Sequence, residues 1–320
     1  MIARTAAALA AVSGLMAQQP GPKLEVLQVR PDFYMIAGAG GNIGFQLGTD
    51  GVVVVGSGSA SSADAVVAAI GKITTQPIRY VIDTSADPDQ VGGNATVAKA
   101  GQTLFMQTSG AGLAADFQGG GAAILSVEEV LTRMSAPTGK TSPFPLAAWP
   151  TETFHQPRKY MYLNGEGIEV LHQPAAHTDG DAIVFFRRSD VIVAGDILDT
   201  TRFPVIDIAK GGSIQGEIAA LQKLVDTAIP SVPIVSRDAG TLIIPGHGRI
   251  CDQLDVVEYR DMVTIIRDRV RDLKKHGLTL EQVKEAAPAR GYLRRYGSAA
   301  NFVEAVYRTM DERVSVEKTK

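Results

Sequence analysis

The sequence has a single cysteine, Cys251, among its 320 residues. A disulfide within the chain is therefore excluded, and so is a metal cluster held by several thiolates. The chain also lacks the G-x-S-x-G pattern that marks the nucleophile of many serine hydrolases, and its serine-rich stretch "GSGSASS" has no partner histidine at a recognisable spacing. A single cysteine is compatible with either a reducing or an oxidising compartment.

The chain has no excess of charge of one sign. It carries 31 basic and 34 acidic side chains, a formal net charge of −3. The basic residues that are frequent after Arg249 alternate with acidic ones, which is typical of solvated helix faces rather than of a basic patch. Nucleic acid and membrane surfaces are therefore disfavoured as partners, and a small-molecule substrate or ligand is favoured. The sequence does not determine the oligomeric state.

The apolar run near the N-terminus, residues 5–16, is too short to cross a bilayer. It follows a short start that contains Arg4 and precedes Ala17 and polar residues, which is the layout of a secretory signal peptide. We expect residues 1–17 to be removed, with a mature protein that begins near Gln18 and is periplasmic or secreted. The alternative is an N-terminal helix that is disordered or packed against the protein.

Segments of strand and helix character alternate through residues 24–320, which we predict to be one domain with C-terminal helices. Hydrophobic residues make up 45% of the chain, enough for a large core. The mixture of hairpins and crossover helices predicts a two-layered core flanked by helices on both sides. Among the elements, we predict a strand at 102–107 and a helix that starts at Ser126 with a capping box to Glu129. The segment 109–121, rich in glycine and alanine, is expected to be flexible.

The glycines of "GAGGNIGFQLG" are not a dinucleotide-binding fingerprint. That motif needs a strand before the glycines and a helix after them. Here the next segment is again strand-like and leads into "VVVV". The glycines are therefore predicted to serve hairpin turns.

Polar groups able to bind a metal follow four apolar, strand-like segments. Asp, Gln and neutral His at strand ends are suitable ligands for zinc, manganese or iron, because a rigid scaffold holds them in place. The four groups are Asp87, Asp89 and Gln90; His177, Asp179 and Asp181; Asp196; and His247. Taken singly, each has a structural explanation: a core or turn histidine, a helix cap, or an Asx turn.

These motifs resemble the metallo-β-lactamase-fold hydrolases, most closely the exported lactamase-like and sulfur-oxidation-associated members. The resemblance covers nearly all of the chain after the leader and is carried by "AHTDGD", "AGD", "PGHG" and "RMSAPTGK…WPTETF". It implies an α/β fold, an αββα sandwich of two mixed sheets flanked by helices, with a metal site at one edge of the sheets. It also implies that His177, Asp196 and His247 are metal ligands.

The loop after "IRYVID" departs from that family. Where the family has the pattern HxHxDH, this sequence has Ser85, Asp87, Asp89 and Gln90, so only Asp89 matches. The aspartate of the family's "VDTG" turn is also absent, because Gly56 stands there. Pro88 and "VGGN" preserve the turn, but its ligand chemistry has changed.

Two sets of donors remain. One contains Asp87, His177 and Asp196; the other contains Asp89, His247 and Asp196, with Gln90 as a weak carbonyl donor. The second set is favoured, and it predicts one divalent ion, either zinc or a harder ion such as manganese, iron(II) or calcium.

The first hypothesis is a hydrolase of an ester, thioester, lactone or β-lactam, in which Asp89 orients the attacking water. The additional carboxylates neutralise part of the ion's charge, so the reaction is expected to be weaker at neutral pH than in a relative with two zinc ions. The alternative is an exported binding or scaffold protein that retains the fold without catalysis.

Overall fold

The computed structural model describes residues 23–104, 120–137, 141–232 and 240–310. The predicted leader at 1–17 lies outside these residues, and so does most of the segment 109–121. Within the described residues the chain forms twelve strands and nine α-helices.

The strands form two sheets, one of seven strands and one of five. They are β1 (Glu25–Arg30), β2 (Phe33–Ala39), β3 (Gly41–Gly48), β4 (Gly51–Val55), β5 (Ile78–Ile82), β6 (Ala123–Val127), β7 (Glu152–Phe154), β8 (Arg158–Leu163), β9 (Glu166–Gln173), β10 (Asp181–Phe186), β11 (Val191–Asp199) and β12 (Leu242–His247).

Both sheets are mixed. The first has the order β1-β2-β3-β4-β5-β6-β7; its first four strands pair antiparallel, and β4 to β7 pair parallel. The second has the order β12-β11-β10-β9-β8, with β11 and β12 parallel and the others antiparallel. The antiparallel pairs correspond to the predicted hairpins, and the parallel pairs correspond to the predicted crossover connections.

The helices cover the outer faces of the two sheets. They are α1 (Ala63–Gly71), α2 (Pro88–Val91), α3 (Asn94–Lys99), α4 (Glu128–Ser135), α5 (Ile214–Thr227), α6 (Gln253–Lys275), α7 (Leu280–Glu285), α8 (Leu293–Tyr296) and α9 (Ala300–Thr309). No helix in these residues is both long and apolar enough to span a membrane.

The core has three layers because each sheet buries both of its faces. In β4, Val53 and Val55 face the second sheet and pack in the cluster between the sheets, while Val52 and Val54 face the layer of α1 and α3. Each buried valine contributes about 1.5–3 kcal/mol relative to an exposed one. On the other side, α5, α6 and α9 pack on the second sheet. The expected αββα sandwich is confirmed.

The hairpin interpretation of the first glycines is also confirmed. β2 and β3 pair antiparallel with Ala39 opposite Gly41, which leaves Gly40 alone in the turn at a φ of 108°. A positive φ of this kind favours glycine over residues with a side chain.

Two local predictions were wrong. Residues 102–104, the described part of the predicted strand at 102–107, are not in a strand, because β6 takes the place beside β5. The predicted capping box is absent: Ser126 is buried in β6, where its hydroxyl donates to the carbonyl of Val127 at 2.8 Å. Helix α4 begins two residues later, at Glu128, without a side-chain cap.

Candidate metal centre

Three of the predicted ligands meet at one edge of the two sheets. One ligand atom each from Asp87, His177 and Asp196 lies within 4.8 Å of the others. Asp87 follows β5 of the first sheet, whereas His177 precedes β10 and Asp196 lies in β11, both of the second sheet. The cluster is therefore built across the boundary between the two layers.

The loop that contains Asp87 is anchored by two buried apolar side chains. Ala86 and Val91 are buried in a small apolar cluster with Val130 and Met134 of α4. Asp87 is the residue before α2, but its carboxylate does not cap that helix. The Asx-turn explanation of this residue is therefore not supported, because its side chain is turned toward the cluster.

His177 has the orientation of a metal ligand. It is 4% exposed, and its Nδ1 lies 2.6 Å from the carbonyl oxygen of Val205. Metal-binding histidines commonly donate one ring nitrogen to such an oxygen, which directs the other nitrogen at the ion. Here Nε2 is directed at Asp87 Oδ2, 2.9 Å away.

The distance between His177 and Asp87 tests whether an ion fits. Two ligands at the usual zinc distances and a tetrahedral angle lie about 3.4 Å apart. The observed 2.9 Å is a direct hydrogen bond, so the pair must separate by roughly 0.5 Å to accept an ion between them. A movement of this size is within the reach of side-chain rotation, and we conclude that the residues fit a divalent ion.

Asp196 enters the cluster because β11 is irregular beside it. Its neighbour Gly195 has a φ of 54°, and a Cβ there would lie 2.6 Å from Thr84 Oγ1. Only glycine is accommodated at that point without strain. Both carboxylate oxygens are hydrogen-bonded: Ser85 Oγ donates to Oδ2 at 3.0 Å, and Gln90 Nε2 donates to Oδ1 at 2.9 Å.

Gln90 occupies its position because two glycines leave room for it. A Cβ on Gly41 would lie 2.4 Å from Gln90 Nε2, and a Cβ on Gly56 would lie 3.3 Å from Gln90 Oε1. Gly56 therefore lies beside Gln90, which takes the place of the last histidine of the HxHxDH pattern. In this loop the amide of Gln90 donates to Asp196.

His247 ends β12 and faces the second donor set. Its Nε2 is buried and lies 3.1 Å from Asp89 Oδ2, an ion-pair contact, and 3.6 Å from Asp196 Oδ1. Both distances are near the separation of about 3.4 Å expected for two ligands of one tetrahedral ion. His247, Asp89 and Asp196 therefore meet at one point, as the second donor set requires.

The turn after β12 is held from the opposite sheet. Asn42 of β3 donates its Nδ2 to the carbonyls of Pro245 and Gly248, both at 3.0 Å. These residues lie on either side of His247 in the sequence. This buried amide therefore helps to fix the turn that contains His247.

Sequence reasoning missed Lys210. Its Nζ lies 2.7 Å from Asp87 Oδ1 and 3.1 Å from Asp207 Oδ2. Asp87 is thus held between an ammonium group and an imidazole. The stretch "IDIAKGGS" has no feature that predicts a contact with a residue 123 positions earlier.

Two of the candidate metal ligands, Asp179 and Asp181, make other contacts. Asp181 closes back on Thr178, accepting from its backbone nitrogen and from its hydroxyl, both at 2.7 Å. Asp179 pairs with Arg133 of α4. Neither side chain belongs to the cluster of ligand atoms found among the described residues.

Solved structures with this architecture are known. The chain is similar to a stereoselective inverting sec-alkylsulfatase, Pisa1, from Pseudomonas sp., with 16% identity, a TM-score of 0.65 and 92% of this chain covered. It is also similar to a metallo-β-lactamase from Pontibacter korlensis, with 16% identity, a TM-score of 0.53 and 76% of this chain covered, and to the DIM-1 metallo-β-lactamase, with 14% identity, a TM-score of 0.53 and 76% covered. The chain has the metallo-β-lactamase fold.

The extent of the likeness differs between these proteins. The chain spans about half of the alkylsulfatase, 51% of its length, but matches 99% and 98% of the two lactamases. No family model matches the sequence, and no curated protein does either. At these identities the comparison shows the metallo-β-lactamase fold alone, so the chemistry of the altered loop must be argued from its own residues.

The charges of the site follow from its geometry. Burial tends to raise the pKa of Asp87, but the hydrogen bonds from His177 and Lys210 outweigh it and hold that pKa well below its usual range. Burial tends to lower the pKa of His177, but Asp87, Asp181 and Asp196 raise it to about 10. Burial and the nearby carboxylates raise the pKa of Asp196, and the contact with Asp89 raises that of His247.

The metal-free protein should lose stability at high pH. The pKa of His177 is about 10 in the folded state and about 6.5 in an unfolded chain. A raised pKa stabilises the fold fully below pH 6.5 or so, and the contribution is lost as the pH rises through about 10. Urea unfolding in the presence of a chelator, from pH 6 to pH 10 or so, measures this. The variant His177→Gln should show a smaller decline than the parent; identical pH profiles would contradict the assignment.

Proposed function

We propose that this protein is a hydrolase that uses one divalent metal ion in an altered metallo-β-lactamase-type site. The observation that carries the proposal is the convergence of Asp87, His177 and Asp196, with His177 already oriented by the carbonyl of Val205. The fold comparison supports it, because the similar structures are named as a sulfatase and as β-lactamases. Both names describe hydrolysis.

The two donor sets differ in what supports them. The set of Asp87, His177 and Asp196 is the more compact, whereas in the set of Asp89, His247 and Asp196 the imidazole of His247 faces both carboxylates. The sequence favoured the second set, and the geometry favours the first; which of them holds the ion stays a prediction. In either set two carboxylates and one imidazole favour manganese or iron(II) more than the imidazole-rich sites of zinc enzymes do.

The chain's own residues suit the proposed reaction. A divalent ion would supply Lewis acidity and lower the pKa of a water molecule. The hydrogen-bond contact with His247 lowers the pKa of Asp89, which keeps that carboxylate ionised. Its side chain is 38% exposed, so it can accept a hydrogen bond from an attacking water and orient it. Ser85 and Gln90 hold the carboxylate of Asp196 in place.

The proposed substrates contain a polarised carbonyl: an ester, thioester, lactone or β-lactam. The low number of imidazole ligands means that the ion's charge is partly neutralised by carboxylates, which acidifies the water less than a site with two zinc ions would. The maximum rate is therefore expected at a higher pH than in such a site.

The metal content tests the proposal. Protein purified without a metal-binding tag and dialysed should retain about one divalent ion per chain, because the two donor sets share Asp196 and each has only one imidazole. Elemental analysis of the dialysed protein gives the number. Two tightly held zinc ions per chain would contradict the single-ion site.

A second function is favoured by a different observation. Both oxygens of Asp87 and both oxygens of Asp196 are already paired, by His177 and Lys210 and by Ser85 and Gln90 respectively. A site that satisfies its own polar groups is stable without an ion, as a binding or scaffold protein with this fold would require. Absence of any ion, combined with a melting temperature that does not respond to a chelator, would favour this alternative.

We also propose that the protein is exported. The support is the N-terminal pattern of Arg4, an apolar run and Ala17. The mature protein in a fractionated native host should start near Gln18 and lie outside the cytoplasm. N-terminal sequencing decides this, and an intact Met1 in the cytosolic fraction would refute it.

A further inference from the structure

Lys210 is held rigidly beside the ligand cluster although it belongs to a short turn. Its backbone oxygen accepts from Asp179 N at 2.9 Å and from Arg133 Nη2 at 2.7 Å. Its backbone nitrogen donates to the carbonyl of Asp207 at 3.0 Å. Both backbone groups of Lys210 are therefore fixed, and its side chain starts from a defined point.

The two oxygens of the Asp87 carboxylate have different partners. Nζ lies 2.7 Å from Oδ1, while Oδ2 faces His177 at 2.9 Å. The second partner of Nζ is Asp207 Oδ2 at 3.1 Å. One oxygen of Asp87 is thus occupied by Lys210, and only the other is directed at the candidate ion.

We propose that Lys210 is a positioning residue that offsets part of the charge of Asp87 and occupies one of its oxygens, so that this carboxylate acts toward the ion as a single-oxygen ligand of reduced charge. The inference rests on the proposed function. Lys210 Nζ is shared between Asp87 and Asp207, so its charge offsets the charge of Asp87 in part. Asp87 beside Lys210 is therefore closer in charge to the neutral histidine that the HxHxDH pattern would place there than a free carboxylate would be.

The offset has two physical consequences. A fixed positive charge a few ångströms from a divalent ion weakens its binding. Blocking one carboxylate oxygen also lowers the number of oxygen ligands, which disfavours manganese and calcium relative to zinc, because the harder ions take more oxygen ligands. Lys210 would therefore set both the affinity of the site and its choice of metal.

The variant Lys210→Met tests this, because it keeps the length of the side chain and removes the charge. We expect it to bind Mn²⁺ about tenfold more tightly than the parent or better, with a smaller gain for Zn²⁺. Lys210→Arg keeps the positive charge, so both affinities should stay within about threefold of those of the parent. Lys72→Met, at an exposed position after α1, is the matched control and should change neither affinity.

The measurements are Mn²⁺ and Zn²⁺ affinities by competition with a fluorescent chelator, together with the metal-dependent shift of the melting temperature. Equal Mn²⁺ affinities in the parent and in Lys210→Met would overturn the inference while leaving the proposed function intact. No binding by any variant would overturn both. Binding by Lys210→Met alone would overturn both, because the native protein would then have no metal site for Lys210 to adjust. Should Lys210→Met not fold, Lys210→Gln replaces it in the same comparison.

Discussion

The triple variant Ser85→His, Asp87→His and Gln90→His is expected to bind about two zinc ions per chain, where the parent binds one or none. The remaining ligands are already in place, because His177, Asp196 and His247 lie at the same edge of the sheets. Ala86 and Val91, which the variant leaves unchanged, still anchor the loop in its buried apolar cluster. Loss of the Asp87 carboxylate also removes one negative charge, so a water molecule should acidify more readily.

Zinc stoichiometry and turnover of a generic ester or β-lactam reporter measure the effect. The gain in turnover should be limited, because Gly56 has no carboxylate to orient an added ligand. Gln76→His, at an exposed position outside the site, is the control for the addition of an imidazole. If the triple variant folds normally and takes up no more zinc than the parent, these strand ends do not form one metal site.

Asp196→Asn should produce the largest loss of metal binding, since Asp196 belongs to both donor sets. We expect the affinity for the divalent ion to fall by more than about 100-fold, the upper end of the effect of losing an outer partner of a ligand. The metal-free protein should lose no more than about 1–3 kcal/mol of stability, because the Nδ2 of asparagine cannot accept one of the two hydrogen bonds that Ser85 and Gln90 donate to Asp196. Unchanged metal affinity would place the ion elsewhere.

Both quantities are obtained from one titration series: metal affinity by competition, and unfolding by urea in the presence of a chelator. Asp226→Asn, on the exposed face of α5, is the matched control. A variant that is destabilised without metal by several kcal/mol would instead identify Asp196 as a structural residue, of the kind that holds Ser85 and Gln90 in place.

The sequence predicted the elements whose signals are local. The hairpin at Gly40, for example, follows from glycines between two apolar runs. β6 was missed because its five residues contain Ser126, which also suits a helix cap. Whether a serine caps a helix or lies in a buried strand depends on the neighbouring strand, β5, and not on the local sequence.

The same distinction applies to the site. His177, Asp196 and His247 each follow a strand-like run with a recognisable glycine pattern, so their convergence could be expected from the fold. Lys210 and Asn42 have no such pattern. Their contacts join residues 123 and 203 positions apart, and only the three-dimensional structure brings them together.

The division of the candidate ligands between the two sheets has a consequence for the stability of the whole molecule. Ser85, Asp87 and Asp89 come from one half of the sandwich, and His177, Asp196 and His247 come from the other. An ion bound by both groups would be a non-covalent cross-link between the halves, and it would oppose their separation by about 2.7 kcal/mol at a concentration of 100 times Kd. Amide hydrogens along the seam, in β3 and β12, should then exchange more slowly in the metal-loaded protein, while those on the outer helices should not change.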